Sequence, residues 1–333
     1  MAFSPEERAR LHQAKLQTIV ESCYGPGVRT AGPFPSGATL VDGAAAWVLS
    51  ESVGRVVLGG AVSWAVRAGA DRLQLIIGGS GSDLVAAMAR RAELFARSVM
   101  VSRVRGAELE DVAPVPAPAV LKAPDGVEAL MRTIRAAGCE VVVEQGVLRG
   151  ELLGLEVCRI DTDGDGPRLE VGVGSYDREI AMLTYADLAP SEALARVVGM
   201  VAPHRHAGAP IHPMRDLCRE RWLRAVLLET PSLVGATSLE PIETTQAREN
   251  LRDPHPALAA GVDEDGRAVV VACTVGADLD VLPLAEDTRV RHDRSASLIV
   301  VYPTDGPPPP GVRRVAEWLA VPPRWIAVPA PWS

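Results

Sequence analysis

At 333 residues, nearly half hydrophobic and poor in aromatics, the chain exceeds what one small core needs and reads as two or three packed α/β units rather than as a disordered polymer. A net charge of −8 argues against sequence-independent nucleic-acid binding by the whole surface, and five scattered cysteines without a C-x-x-C pair argue against a disulfide framework or a zinc ribbon. The longest uncharged apolar run, between Arg55 and Arg67, is about half the roughly 20 residues a membrane-spanning helix needs, and Met1 to Leu16 is too charged for a secretory leader, so the cytoplasm is expected and no membrane partner is.

Ser4-Pro5-Glu6-Glu7 has capping-box spacing with proline at the first helical position, which predicts a helix from about Pro5 to Glu21 that Gly25-Pro26-Gly27 stops. Strands are then expected at Ala44 to Leu49, Arg72 to Ile77 and Ser98 to Val104, alternating with helices at Val56 to Arg67 and Asp83 to Ala96. That order is βαβαβ, which implies parallel pairing. The Ala- and Pro-rich stretch Ala113 to Pro124 follows as a linker.

The middle of the chain has another texture. An amphipathic helix, Gly126 to Ala137, precedes four short strands, Glu140 to Glu144, Val147 to Leu153, Leu155 to Ile160 and Arg168 to Val173, whose intervening turns make an antiparallel meander the economical reading. Helices are expected at Ser191 to Val201 and Pro213 to Leu228. Near the C-terminus βαβαβ recurs: strands at Ala268 to Cys273, Ser297 to Tyr302 and Trp325 to Val328, with helical segments at Asp278 to Asp287 and Val312 to Leu319.

The segment Arg90 to Ala96 resembles Arg313 to Ala320, and Asp42-Gly43 and Asp265-Gly266 precede equivalent strands at nearly constant spacing. The expected fold is therefore α/β, with two Rossmann-like βαβαβ lobes that read as an internal duplication and flank a middle α+β region. The plainer alternative is that any two such units in an Ala- and Val-rich chain look alike. The corresponding divisions are 1–35 (helix and connection), 36–106 (first lobe), 107–125 (linker), 126–228 (middle region) and 229–333 (second lobe).

The densest chemistry falls in the middle region. Glu151, Glu156 and Glu170 lie on neighbouring expected strands, followed by Asp177-Arg178-Glu179. Carboxylates sharing a face suit Mg²⁺ or Mn²⁺, hard cations that retain waters for phosphodiester chemistry, with Glu156 and Glu170 as the metal ligands and Asp177 assisting. The competing account is a solvated strand face, since charged residues normally occupy the wet side of a half-buried sheet. The helix–meander–helix order loosely resembles restriction-endonuclease-type cores, but the lysine such cores place two residues after the third-strand acid is Gly172 here. Arg168 or Arg178 could replace its charge but not act as a base.

Downstream, Arg215 and Arg219 could hold phosphate bidentately and Trp222 could stack on a base, although an arginine-rich helix pairing with local acids has the same look. His204, His206 and His212 suggest zinc but sit among prolines at irregular spacing. Asp161 to Gly166 opens like a calcium loop yet has Gly172 where the bidentate Glu belongs. In the first lobe, Gly79 and Gly81 of Gly78-Gly79-Ser80-Gly81-Ser82-Asp83 could cradle a phosphate at a helix N-terminus, or simply form a capped connection.

Two functions follow from these residues. One is metal-assisted phosphodiesterase or nuclease-like activity, or binding of a phosphate-bearing ligand or nucleic acid, at the middle region, with Glu156, Glu170, Asp177 and Arg178 as the catalytic set. The other is a non-catalytic ligand sensor or scaffold whose paired lobes make homodimer or partner contacts. No G-x-S-x-G elbow, Cys-His signature or H-E-x-x-H points to a classical hydrolase.

Overall fold

The computed structural model describes residues 4–54, 56–79, 81–105, 108–162 and 166–333. The first elements are α1 (Pro5–Tyr24), β1 (Thr30–Phe34), β2 (Gly37–Asp42), β3 (Ala45–Ser50), α2 (Val57–Arg67), β4 (Arg72–Ile77), α3 (Ser82–Ala92), β5 (Ser98–Arg105) and β6 (Glu108–Asp111). Next come α4 (Glu128–Ala136), β7 (Glu140–Glu144), β8 (Val147–Leu152), β9 (Leu155–Asp161), β10 (Arg168–Val171), α5 (Gly174–Thr184), α6 (Pro190–Val201), α7 (Pro213–Asp216) and α8 (Arg219–Glu229). The last are β11 (Ala236–Ile242), β12 (Ala257–Asp263), β13 (Ala268–Cys273), α9 (Val281–His292), β14 (Ser297–Pro303), α10 (Pro310–Trp318) and β15 (Arg324–Val328). The fold is mixed α/β with three sheets.

Two units result, and neither is a continuous segment. One comprises residues up to Ala117 with Ala277–Asp287 and Pro308–Pro323; the other comprises Pro118–Gly276, Thr288–Pro307 and Arg324–Ser333.

The first unit holds a six-stranded sheet in the order β1-β2-β3-β4-β5-β6. Its centre, β3-β4-β5, is parallel as the βαβαβ reading required, while β1-β2, β2-β3 and β5-β6 pair antiparallel. The outer strands escaped the sequence reading for a physical reason. β1 is largely exposed and contains Gly32 and Pro33, and β6 is mostly acidic, so neither carries the apolar run of a buried strand. The capping box on Ser4 forms as its spacing dictates, with Glu7 N–H donating to the Ser4 hydroxyl and Ser4 N–H to the Glu7 carboxylate. Leu16, Ile19 and Val20 of α1 then bury themselves against Leu40, Trp47, Leu49 and Ile76 of the sheet. Full burial of such side chains contributes about 1.5–3 kcal/mol each.

Helix α2 has no side-chain cap of its own. Asp280 supplies one from more than two hundred residues away: its carboxylate accepts from Val56 N–H at 2.9 Å and Gly59 N–H at 2.6 Å. Asp280→Ala is expected to lower stability by about 2 kcal/mol, read as a lower urea midpoint at unchanged slope, with Asp280→Asn retaining most of it. Arg90 and Arg91 of α3 meet Asp287 at 2.8 and 3.1 Å. Beyond α3 and α10, Phe95 and Leu319 form an antiparallel bridge, closed by Ala96 N–H to Trp318 O at 2.7 Å and Ala320 N–H to Leu94 O at 3.0 Å.

The second unit holds two sheets. One is the expected meander, β10-β9-β8-β7, antiparallel throughout; the other runs β11-β12-β13-β14-β15. In the latter β11-β12 and β12-β13 are antiparallel and β13-β14 and β14-β15 parallel. Leu223 and Leu227 of α8 pack on its Val269, Val271, Ile299 and Val301, a core separate from that of the meander. The single helix expected over Pro213 to Leu228 is two helices. Leu217 is extended (ψ 137°) and Cys218 takes a positive φ of 51°, held by an Sγ–H donated to Leu251 O at 3.4 Å. Cys139, Cys158, Cys218 and Cys273 are buried and Cys23 is exposed.

Candidate functional site

The meander has one apolar and one charged face, and a register shift decides which residues share the charged one. Strict alternation along β9 would put Glu156 with Cys158 and Ile160, on the side opposite Arg159. Instead, the β8–β9 pairing passes from Gly150↔Cys158 to Glu151↔Glu156, so one extra β9 residue, Val157, is accommodated. Leu155, Val157, Cys158 and Ile160 therefore all join the core. Glu156, Arg159, Arg149 and Glu151 are left on the other face, with Glu170 opposite Arg159.

That face is a buried carboxylate–guanidinium network. Glu156 accepts from Arg149 Nη1 at 2.6 Å, Arg178 Nη1 at 2.7 Å and Arg248 Nη2 at 3.2 Å, so both of its oxygens are engaged. Glu151, with no exposed surface, accepts from Arg224 at 2.8 Å and also from Arg221, which bridges to Glu144. Across these contacts five guanidiniums, from Arg149, Arg178, Arg221, Arg224 and Arg248, face three carboxylates. Glu140 also feels Arg224 and Arg221, so one positive charge is in excess over the group. Glu170 belongs to a neighbouring, balanced group, with Arg159 at 2.8 Å and Arg168 at 3.6 Å, the latter also holding Asp161 at 2.7 Å.

The network forms one wall of a cavity of about 850 Å³, within the range typical of small-molecule sites. Arg149, Glu156, Arg159, Arg178 and Arg248 line it, with His212, Thr244, Gln246, Asn250 and His255 among its other polar groups. Asp177, Glu249 and Asp253 stand on the rim, exposed to solvent. Helix α5 delivers Arg178. Its first turn lies directly on Gly172, where an added Cβ would fall 2.7 Å from Arg178 N. No side chain therefore fits at Gly172. Arg178 is 7% exposed, its Nε–H has no acceptor among the described residues, and burial pulls its pKa down against the opposing effect of Glu156.

The structure thus gathers Glu156, Asp177 and Arg178 at one cavity, with Glu170 one guanidinium away. Arg215, Arg219 and Trp222 lie elsewhere, in a cluster with Arg205 and Trp332. Trp222 is 2% exposed, with the Arg205 guanidinium 4.3 Å from its ring centre and Trp332 edge-on at 5.9 Å, so no nucleobase reaches its face. Arg215 donates to Trp332 O at 2.9 Å; Arg219 lies 4.9 Å from the Trp332 ring centre and pairs with Asp216. Gly79 and Gly81, in the first unit, allow residues 51–53 to approach: a Cβ on Gly79 would meet Glu51 O at 2.6 Å, and one on Gly81 would meet Val53 at 3.2 Å. An anion on that turn would meet the Glu51 carboxylate, which lies against Gly78 and pairs with Lys15 at 2.6 Å. Ser80, and residues 163–165 of the calcium-like turn, lie outside the described residues.

Four cavity arginines, Arg149, Arg159, Arg248 and Arg252, had no place in the sequence reading. Arg149 was legible as the outward residue between Leu148 and Gly150, whereas Arg248 sits in an irregular segment with no periodicity. His204 and His212 stack face to face, ring centres 3.7 Å apart. Among the described residues no group of three or more His, Cys, Asp or Glu side chains is placed to hold a metal ion.

Burial alone would raise the Glu144 carboxyl, but Arg221 first, then Arg224, Arg248 and Arg149, outweigh it and hold the pKa at about 2. The folded value lies below the ordinary one of 4.5, so this contribution to stability is complete above about pH 4.5 and disappears as pH falls toward 2. Thermal midpoints should therefore fall more steeply across that window in the natural protein than in Glu144→Gln.

Among the described residues no helix is long and apolar enough to cross a membrane. Compared with protein-family models, with curated proteins and with solved structures, the chain matches none.

Proposed function

We propose that the arginine-lined cavity of the second unit binds a phosphate-bearing ligand. The observation that carries this is the convergence of Arg149, Arg178 and Arg248 on the single buried carboxylate of Glu156, at the wall of a cavity large enough for a small molecule. Glu156, with Glu144 near Arg149 and the Cys218 sulfur accepting from Arg248, leaves most of the fifteen guanidinium N–H donors unclaimed among the described residues, and the planar fork of arginine suits phosphate oxygens. Stabilisation by ligand grows as the logarithm of its concentration over Kd, about 2.7 kcal/mol at a hundredfold excess. Inorganic phosphate or a simple phosphate monoester should accordingly raise the melting temperature, less so at high salt, and Arg178→Met or Arg248→Gln should remove the effect. No stabilisation by either anion in the natural protein would end the proposal.

Metal-assisted phosphodiester cleavage at the same place requires Mg²⁺ or Mn²⁺ to displace guanidiniums from Glu156 and Glu170, whereas binding requires no such exchange. Binding is therefore the reading we favour. Hydrolysis that depends on Mn²⁺ and is lost in Glu156→Gln would restore the catalytic one.

We also read the two larger sheets as copies of one unit, which keeps the paired-lobe scaffold role in play. The support is their common order, a helix followed by two antiparallel and two parallel pairings. The bridge between Phe95 and Leu319 joins the two segments whose sequences resemble each other.

A further inference from the structure

Beside the charged cavity lies a second, apolar one of about 300 Å³. Helix α5 presents Asp177, Ile180, Ala181 and Thr184 to it, the i, i+3, i+4, i+7 stripe of a single helix face, and α6 presents Val197, Met200 and Val201. Ile180 and Met200 remain 46% and 50% exposed, so the groove is open to solvent. Val173, Asp177 and Met214 line both cavities. The two spaces are thus adjacent, one lined by charged groups that include five guanidiniums and the other mainly by hydrocarbon.

Resting on the phosphate-binding reading, we infer that the ligand is an amphiphile: a phosphate monoester of an apolar alcohol, its phosphoryl group on Arg149, Arg178 and Arg248 and its alkyl or ring portion in the groove between α5 and α6. Three observations select this occupant over a protein segment. The groove shares Val173, Asp177 and Met214 with the charged cavity, its volume suits a ring or a short chain rather than a helix, and the guanidiniums of Arg149, Arg178 and Arg248 converge on one wall of that cavity. Helix α5 serves both halves, since Arg178 turns toward Glu156 while Ile180, Ala181 and Thr184 face the groove. Occupancy of the groove also removes exposed Ile180 and Met200 surface from water, so the apolar half adds affinity with a negative heat-capacity change.

The test is calorimetric titration of the full chain with inorganic phosphate, octyl phosphate below its aggregation concentration, and octanol. Octyl phosphate is expected to bind at least tenfold more tightly than inorganic phosphate, and octanol far more weakly than octyl phosphate. Met200→Glu and Thr184→Trp, both at solvent-exposed positions, should erase the octyl gain and leave inorganic phosphate binding intact; circular dichroism checks that each is folded. Equal affinity for the two phosphates overturns the amphiphile inference but leaves phosphate binding standing. Binding of neither overturns both. An octyl gain that survives both groove substitutions, or octanol binding as tightly as octyl phosphate, overturns the placement of the apolar half.

Discussion

Glu151→Ala is expected to cost about 3–5 kcal/mol, the range for removing one partner of a buried ion pair. Glu151 is fully buried and is the carboxylate that Arg224, itself 1% exposed, engages at 2.8 Å. Arg221 retains Glu144, but Arg224 loses the carboxylate it pairs with directly and keeps only the longer-range attraction of Glu140 and Glu144. The cost comes mainly from the orphaned charge rather than from the lost attraction. Replacing Glu151, Arg221 and Arg224 together by leucine or methionine should therefore recover much of the stability, although the single change does not. Urea unfolding of the single and triple variants measures both. A single-variant loss under about 1 kcal/mol would show that other groups or water serve these guanidiniums.

Gly154→Ala is expected to cost about 2–5 kcal/mol, combining the penalty for a left-handed residue bearing a Cβ with overpacking. Gly154 has φ +79°, and its missing Cβ would lie 2.3 Å from the carbonyl carbon of Arg221, backbone that cannot swing aside. Gly138 is the internal control, because its φ is +77° but nothing lies within 4 Å of its Cβ position. Gly138→Ala should lose only the conformational part, about 1 kcal/mol. Equal losses at the two positions would refute the steric argument. The Gly154 substitution should also weaken phosphate binding, since moving the start of α8 draws Arg221 away from Glu151 and Glu144 and disturbs the whole charged wall.

The contrast between these glycines shows what the sequence could and could not convey. Runs such as Leu73 to Ile77, interrupted only by Gln74, and Val269 to Cys273 are largely apolar on both faces, which announces buried parallel strands, and both strands were legible. The hairpin strands beside them were not, because Gly32, Pro33 and Pro241 dilute their pattern, as edge positions permit. Helix α5 begins at Gly174, after Gly172-Val173, and has no capping side chain, so its existence depends on tertiary contact. The bulge on β9 reverses alternation at Val157, and only with it do Glu156 and Arg149 share a face. The acidic residues were thus identifiable as a cluster with Arg178 beside them, but the way their guanidinium partners reach them was not. Arg178 lies on the helix that went unseen, and Arg248 comes from a segment without regular structure.

The discontinuity of the two units bears on how the chain can be made and cut. Strands β1 to β6 leave the ribosome well before the Asp280 cap on α2 and the Leu319 bridge to Phe95, which come more than 160 residues after β6. Until then the nascent first unit has an uncapped helix and uncovered apolar surface where α10 will lie. Nor can a single proteolytic nick release either unit intact, because α9 and the strands and helix after it alternate between them. Limited digestion within residues 112–125 should leave the fragments associated until a denaturant separates them.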